Sequence, residues 1–107
     1  MENAEVAALL GEIASLLEAG HEEPFALSIR TVLSGSAQTL EEFLRSNDLW
    51  GGSGSIADQA FAGRSEQRKG LESLLIQLGR IQLRYGNANS RTKGWVQAFE
   101  KWHQLRM

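Results

Sequence analysis

Apolar residues recur at intervals of three and four along most of this chain of 107 residues. The clearest run comprises Val6, Leu9, Leu10, Ile13, Leu16 and Leu17. This period is typical of an amphipathic helix, and no stretch alternates with the period of two expected for a half-buried strand. The single proline also disfavours a turn-rich β-protein. The sequence therefore predicts an all-α fold.

Start and stop signals divide the first half into two longer helices and a short one. Gly20 fits a left-handed cap at the end of the first helix. Pro24 fits the first turn of the second helix, where its missing N–H group needs no partner, and Gly35 ends that helix. Thr39, with Glu42 three residues later, forms a capping-box pattern that predicts the start of the short third helix.

The second half is predicted to contain a short helix and two longer ones. Ser55 and Asp58 indicate a short helix from Ile56 to about Ala62. Helical spacing then predicts the longest helix from Ser65 to Gly86, followed by a final helix over residues 95–105.

Gly70 and Gly79 lie inside the longest predicted helix. Because glycine has no Cβ, we expect these positions to let a neighbouring helix approach closely. Short connections favour antiparallel neighbours. We therefore predict a single domain over residues 1–107, a small antiparallel bundle of about four longer helices with a short helix after a glycine-rich corner.

That corner is the stretch LWGGSGSIADQAF, residues 49–61. Gly52, Gly54 and Ala57 match a loose dinucleotide-binding fingerprint, but this fingerprint requires a preceding strand, and the preceding residues have a helical pattern. One alternative is an anion-binding nest of backbone amides from Gly51, Gly52, Ser53, Gly54 and Ser55. In that case Asp58 would compete with the anion.

Two other interpretations of the stretch need no small ligand. The favoured one is a structural corner, in which the glycines permit tight backbone geometry while Trp50 is buried in the core. The other is a partner-binding loop, with Trp50 exposed as the kind of aromatic anchor that dominates protein interfaces.

The segment GGSGSIAD, residues 51–58, also resembles a motif of small, uncharacterised bacterial helical proteins, Gly-Gly-x-Gly-Ser-x-x-Asp. The matching positions are Gly51, Gly52, Gly54, Ser55 and Asp58. Ser53 stands where that group often has methionine, and Ala57 where it often has asparagine. The resemblance implies a bacterial cytoplasmic helical protein without an assigned catalytic role.

Side chains that support catalysis or metal binding form no convincing pattern. The chain has no cysteine, which excludes disulfides and thiolate metal sites. His21, Glu22 and Glu23 are adjacent and cannot all converge on one ion. We find no nucleophile with a matching base, so we predict no catalytic residues, no metal and no cofactor. The acidic N-terminus and short apolar runs predict a cytoplasmic protein without a secretory signal or membrane span.

Charge is divided unevenly between the two halves. Residues 1–50 contain nine acidic and two basic residues, a net charge of −7, and residues 51–107 contain four acidic and nine basic residues, a net charge of +5. This division fits two halves that attract each other within one molecule, and it also fits an interaction surface.

The leading functional hypothesis is a non-catalytic protein-binding domain, of which an immunity or antitoxin protein that neutralises a bacterial toxin is the most concrete version. Acidic side chains of the first half would face a basic cleft of the partner. Tryptophans would provide the apolar anchors. The candidate partner-binding residues are Glu22, Glu23, Glu41, Glu42, Trp50, Trp95 and Trp102.

Three alternatives stay open. The nest at residues 51–55 would make the chain a sensor of a small ligand, an anion or a nucleotide. The basic second half would make it a nucleic-acid-binding regulator, although the overall negative charge of −2 disfavours binding to phosphates. Opposite charges on the two halves would also suit an antiparallel homodimer.

Overall fold

Six helices and no strand make up the described chain, which is residues 3–52, 54–62 and 65–105 of a computed structural model. The helices are α1 (Asn3–Ala19), α2 (Glu23–Leu33), α3 (Ala37–Leu44), α4 (Ile56–Ala62), α5 (Ser65–Tyr85) and α6 (Thr92–Leu105). Helices α1, α2, α5 and α6 have 17, 11, 21 and 14 residues, whereas α3 and α4 have 8 and 7. The predicted all-α class, with four longer helices and short ones, is confirmed.

The starts of α2 and α3 show which sequence signals determine helix ends. Pro24 lies in the first turn of α2, as predicted. The start of α3 differs from the prediction, because Ser36 rather than Thr39 is its N-cap. The Ser36 hydroxyl accepts a hydrogen bond from the Thr39 backbone N–H group at 3.1 Å. An earlier serine with extended backbone therefore caps the helix, and Thr39 belongs to its first turn.

The end of α1 places an unusual residue in the left-handed region. The Glu22 N–H group donates to the Leu17 carbonyl at 2.7 Å and the His21 N–H group donates to the Glu18 carbonyl at 3.1 Å, a Schellman pattern. This pattern puts His21, with φ of 63°, at the left-handed position. The prediction that Gly20 takes this role was wrong by one residue.

Helices α5 and α6 run antiparallel and in close contact. A Cβ on Gly79 would overlap the Val96 side chain, so the predicted close approach at Gly79 is confirmed. One turn of α6 further on, the Arg80 guanidinium pairs with the Glu100 carboxylate. Helix α6 begins at Thr92, three residues before the predicted start at Trp95.

One buried apolar cluster contains residues from all six helices. Helix α1 packs on α2 and α5, and α5 also packs on α4 and α6. Leu49 and Trp50, which precede the glycines, are completely buried in this cluster. In the described part of the chain, no helix combines the length and the apolar character needed to cross a membrane.

Candidate functional site

The glycine-rich corner joins the end of α3 to α4 and is closed by backbone hydrogen bonds at its base. The Ile56 N–H group donates to the Asp48 carbonyl at 2.8 Å, and the Ala57 N–H group donates to the Leu49 carbonyl at 3.0 Å. The first turn of α4 is thereby bonded to the residues that precede the glycines. The glycines form a closed loop between two fixed ends.

Two glycines of the corner meet different backbone requirements. A Cβ on Gly51 would overlap the carbonyl oxygen of Asn47, so the chain passes too close to itself for any other residue. Gly54 has a φ of +88°, a left-handed conformation that residues with a Cβ rarely adopt. The corner therefore depends on glycine for close approach at one position and for backbone conformation at the other.

The predicted capping of α4 is confirmed. The Ser55 hydroxyl accepts a hydrogen bond from the Asp58 N–H group at 3.1 Å, and the Asp58 carboxylate accepts one from the Gly54 N–H group at 3.1 Å. The Ser55 side chain thus satisfies an N–H group of the first turn of α4, and the Asp58 side chain satisfies the N–H group of Gly54, which precedes the helix. Ser55 is buried and Asp58 is partly buried, so this cap belongs to the interior side of the corner.

These hydrogen bonds also determine what the corner offers to an anion. Each backbone N–H group from residue 54 to residue 58 donates to an acceptor of the protein itself. The Asp58 carboxylate occupies the position in front of the Gly54 N–H group, where an anion would bind. The geometry favours the structural corner over the anion-binding nest. Of the other three candidates of the nest, Gly51 is buried, Gly52 is exposed, and Ser53 lies outside the described residues.

Trp50 is held by a buried polar network. Its indole Nε1 donates to Gln82 Oε1 at 2.8 Å, and Gln82 Nε2 donates to the carbonyls of Leu44 at 2.7 Å and Asn87 at 2.9 Å. Gln82 is completely buried on α5. Because Trp50 is itself completely buried, it is not available to a partner, and its candidate role as an exposed anchor is corrected to a core role.

Asn89 connects the corner to α6. Its side-chain Nδ2 donates to the Ser46 and Trp50 carbonyls at 3.1 and 3.0 Å. Its Oδ1 accepts from the N–H groups of Arg91 and Thr92, and the Thr92 hydroxyl accepts from the Asn89 N–H group. This reciprocal arrangement is a capping box with asparagine as the cap. It explains why α6 begins before Trp95.

Trp95 lies on the outer side of the same junction. Its indole Nε1 donates to the Gly51 carbonyl at 2.9 Å, and its ring stacks on Phe99 with centroids 5.3 Å apart. Trp102 packs edge-on against Phe99 at 5.8 Å. Both tryptophans are partly buried, so each contributes to the core and also presents some surface.

An open groove of about 410 Å³ runs between the corner and α6. Small residues line most of it: Gly51, Gly52, Gly94 and Ala98. Trp95 and Arg91 complete its lining. Gly51, Gly52 and Trp95 were candidates from the sequence, but their meeting in one groove was not predicted, because the contact between the corner and α6 joins residues about 40 positions apart in the chain.

The four acidic candidates lie on the surface of the first half. Glu23, Glu41 and Glu42 are exposed and Glu22 is partly buried. Glu23 lies 3.8 Å from the exposed His21 imidazole, and Glu42 accepts a hydrogen bond from Gln38 at 3.2 Å. The described residues contain no group of three or more histidines, aspartates or glutamates that could hold a metal ion.

Two functional or structural roles were not predicted from the sequence. Nothing in the pattern of α5 identifies Gln82 as the acceptor of the Trp50 indole, although its position lies on the buried face of the helix. Asn89 and Thr92 do carry a readable signal, since their spacing of three is that of a capping box. The surrounding residues are rich in turn formers, so this segment was interpreted as a connector and the cap was not predicted.

Comparison of the chain with protein-family models, with curated proteins and with solved structures found no match. The resemblance of residues 51–58 to a motif of small bacterial proteins therefore stays a prediction.

Proposed function

We propose that the chain is a non-catalytic protein-binding domain whose acidic first half binds a basic partner. The observation that carries this proposal is the exposure of acidic side chains on α2 and α3. Glu23, Glu41 and Glu42 project from these helices outside the core. Among the described residues, neither Glu41 nor Glu42 belongs to an ion pair.

Each ion pair between described residues joins two residues of the same half of the chain. Arg30, one of only two basic residues in positions 1–50, pairs with Glu18 of the same half at 3.1 Å. Arg80 pairs with Glu100, and both belong to the second half. The acidic surface is therefore available to another molecule. Such a surface accelerates association with a basic partner and discriminates against acidic ones.

Neutralisation of a toxin, the role of an immunity or antitoxin protein, is the most concrete version of this function. A small helical domain with an acidic surface has the charge needed to cover the basic active-site cleft of an enzyme that acts on nucleic acid. In this version the partner is toxic alone and harmless in the complex.

The first experiment compares two double variants in co-purification from the cells that produce the chain. Glu41→Lys with Glu42→Lys reverses the charge of α3. Glu5→Lys with Glu12→Lys makes the same change of charge at exposed positions of α1. We expect a stoichiometric partner with the wild type and the α1 variant, and its loss with the α3 variant. Equal retention by both variants would contradict the proposed surface.

The second experiment tests the toxin version with the partner identified in the first. Expression of that partner alone should arrest growth, and co-expression of the wild-type chain should restore it. The α3 double variant should fail to restore growth although it folds, as judged by its circular dichroism spectrum. A partner that is harmless when expressed alone would contradict the toxin version and leave the protein-binding function in place.

A further inference from the structure

The groove between the corner and α6 combines an apolar surface with a single cation. Gly94, Trp95 and Ala98 lie at helical spacing along one face of α6, and Arg91 directly precedes the helix. The indole N–H group of Trp95 already donates to the Gly51 carbonyl, so the part of this side chain that is available to another molecule is apolar. A Cβ on Gly94 would meet nothing within 4 Å, so the groove is open at this residue.

Arg91 gives this groove its charge. Its side chain is exposed and lies over Gly52, where a Cβ would be 3.0 Å from Nη1. Arg91 forms no ion pair among the described residues. An apolar groove with a free guanidinium at its edge is complementary to a segment that carries an apolar side chain next to a carboxylate.

Helix α2 of the same chain has these properties. Leu27 is 66% exposed, more than the other large exposed apolar residues described, Leu83 and Tyr85. Glu23 precedes Leu27 by four residues and therefore lies on the same side of α2. Helix α2 belongs to the acidic half of the chain and the groove belongs mainly to the basic half, so the two surfaces are complementary in charge.

The glycine-rich corner borders both the α6 groove and the start of α2. Gly51 and Gly52 line the α6 groove. A second depression, of about 200 Å³, is lined by Gly54 and Ile56 together with Pro24, Phe25 and Ser28 at the start of α2. The corner thus lies between the start of α2, where Glu23 is exposed, and the groove that Arg91 borders.

We infer that two copies of this chain form a symmetric dimer in which α2 of each copy lies in the α6 groove of the other. The contact is made twice and the assembly closes at two copies. A small net charge, here −2, also favours association over mutual repulsion. This inference does not rest on the proposed function: the two surfaces share Glu23, but the dimer contact depends on Leu27 and the α6 groove and includes neither Glu41 nor Glu42 of α3.

Two single variants remove the contact from opposite sides. Gly94→Gln fills the groove at a helical position with open space, and glutamine is a better helix former than glycine. Leu27→Gln removes the exposed apolar side chain from α2. Sedimentation velocity over a range of concentrations should show a monomer–dimer equilibrium for the wild type and a dissociation constant at least about tenfold higher for each variant. Ala8→Gln, at an exposed position of α1, should dimerise as the wild type does.

Mixing the two variants tests the geometry itself. The groove of the Leu27→Gln chain is intact, and so is the α2 surface of the Gly94→Gln chain. The mixture should therefore form a heterodimer with one of the two contacts, stronger than either variant alone and weaker than the wild type. A wild-type chain that stays monomeric at high concentration or forms open-ended polymers would overturn the inference. So would a mixture of the two variants that associates no better than either variant alone.

Discussion

The buried amide of Gln82 is the element whose removal should destabilise the fold most clearly. Replacing Gln82 with leucine keeps a side chain of similar volume and removes three hydrogen bonds, to the Trp50 indole and to the Leu44 and Asn87 carbonyls. Trp50 is completely buried, so its Nε1–H group would be left without a partner in the core. We expect a large loss of stability without a change of fold.

The size of the effect follows from the three groups left behind. An unsatisfied buried donor or acceptor costs about 1–3 kcal/mol. The indole N–H group should contribute about 2 kcal/mol, and the two carbonyls about 1 kcal/mol between them, because an unsatisfied carbonyl is tolerated better than an unsatisfied N–H group. We therefore predict that Gln82→Leu lowers the free energy of unfolding by about 3 kcal/mol, which corresponds to a fall in Tm of about 12–20 °C for a chain of this size.

Urea unfolding followed by far-ultraviolet circular dichroism measures this loss, at one fixed protein concentration because association would shift the midpoint. Gln77→Leu is the matched control, since Gln77 lies on the same helix with an exposed side chain. The control should stay within about 0.5 kcal/mol of the wild type. A Gln82→Leu variant that loses less than about 1 kcal/mol would refute the reasoning, because the network would then contribute no more than one ordinary hydrogen bond.

Other positions give predictions that the same unfolding measurements check. Gly51→Ala should lower the free energy of unfolding by at least about 2 kcal/mol, because the new Cβ overlaps the Asn47 carbonyl. Gly52→Ala should lower it less, because its Cβ meets only the flexible Arg91 side chain, and equal losses would contradict this account. His21→Gly should raise stability by about 0.5–1 kcal/mol by relieving a left-handed residue, and a loss would contradict the assigned Schellman pattern. Asn89→Ala should lower the free energy of unfolding by about 2 kcal/mol or more, since it removes both the α6 cap and the hydrogen bonds to the corner. A loss below about 0.5 kcal/mol would contradict the stabilising role assigned to Asn89.

Local signals in the sequence predicted most of the helices. The spacing of apolar residues identified α1, α2 and α5, and Ser55 with Asp58 identified the cap of α4. These predictions succeeded because both the apolar stripe and the cap depend on residues within a few positions of each other. The predicted N-cap of α3 was misplaced by three residues, because Ser36 and Thr39 both carry hydroxyl groups that can cap a helix at this place.

The network around the corner could not be predicted in the same way. Gln82 meets Trp50 across 32 positions of the chain, and Asn89 meets Trp50 across 39. The helical period places Gln82 on a buried face, but it does not say which polar group lies opposite. For the same reason the sequence left Trp50 open as either a core residue or an exposed anchor. Only the packing of α5 and α6 against the corner decides between them.

The binding surface proposed on α3 is tested most directly with the purified partner. The measurement is the association rate constant and the affinity of that partner for the wild type and for the Glu41→Lys, Glu42→Lys variant, at low and at high salt. The account predicts fast, salt-sensitive association with the wild type and an affinity lower by about tenfold or more for the variant. An affinity that neither salt nor the double charge reversal changes would contradict the claim that the acidic surface binds the partner.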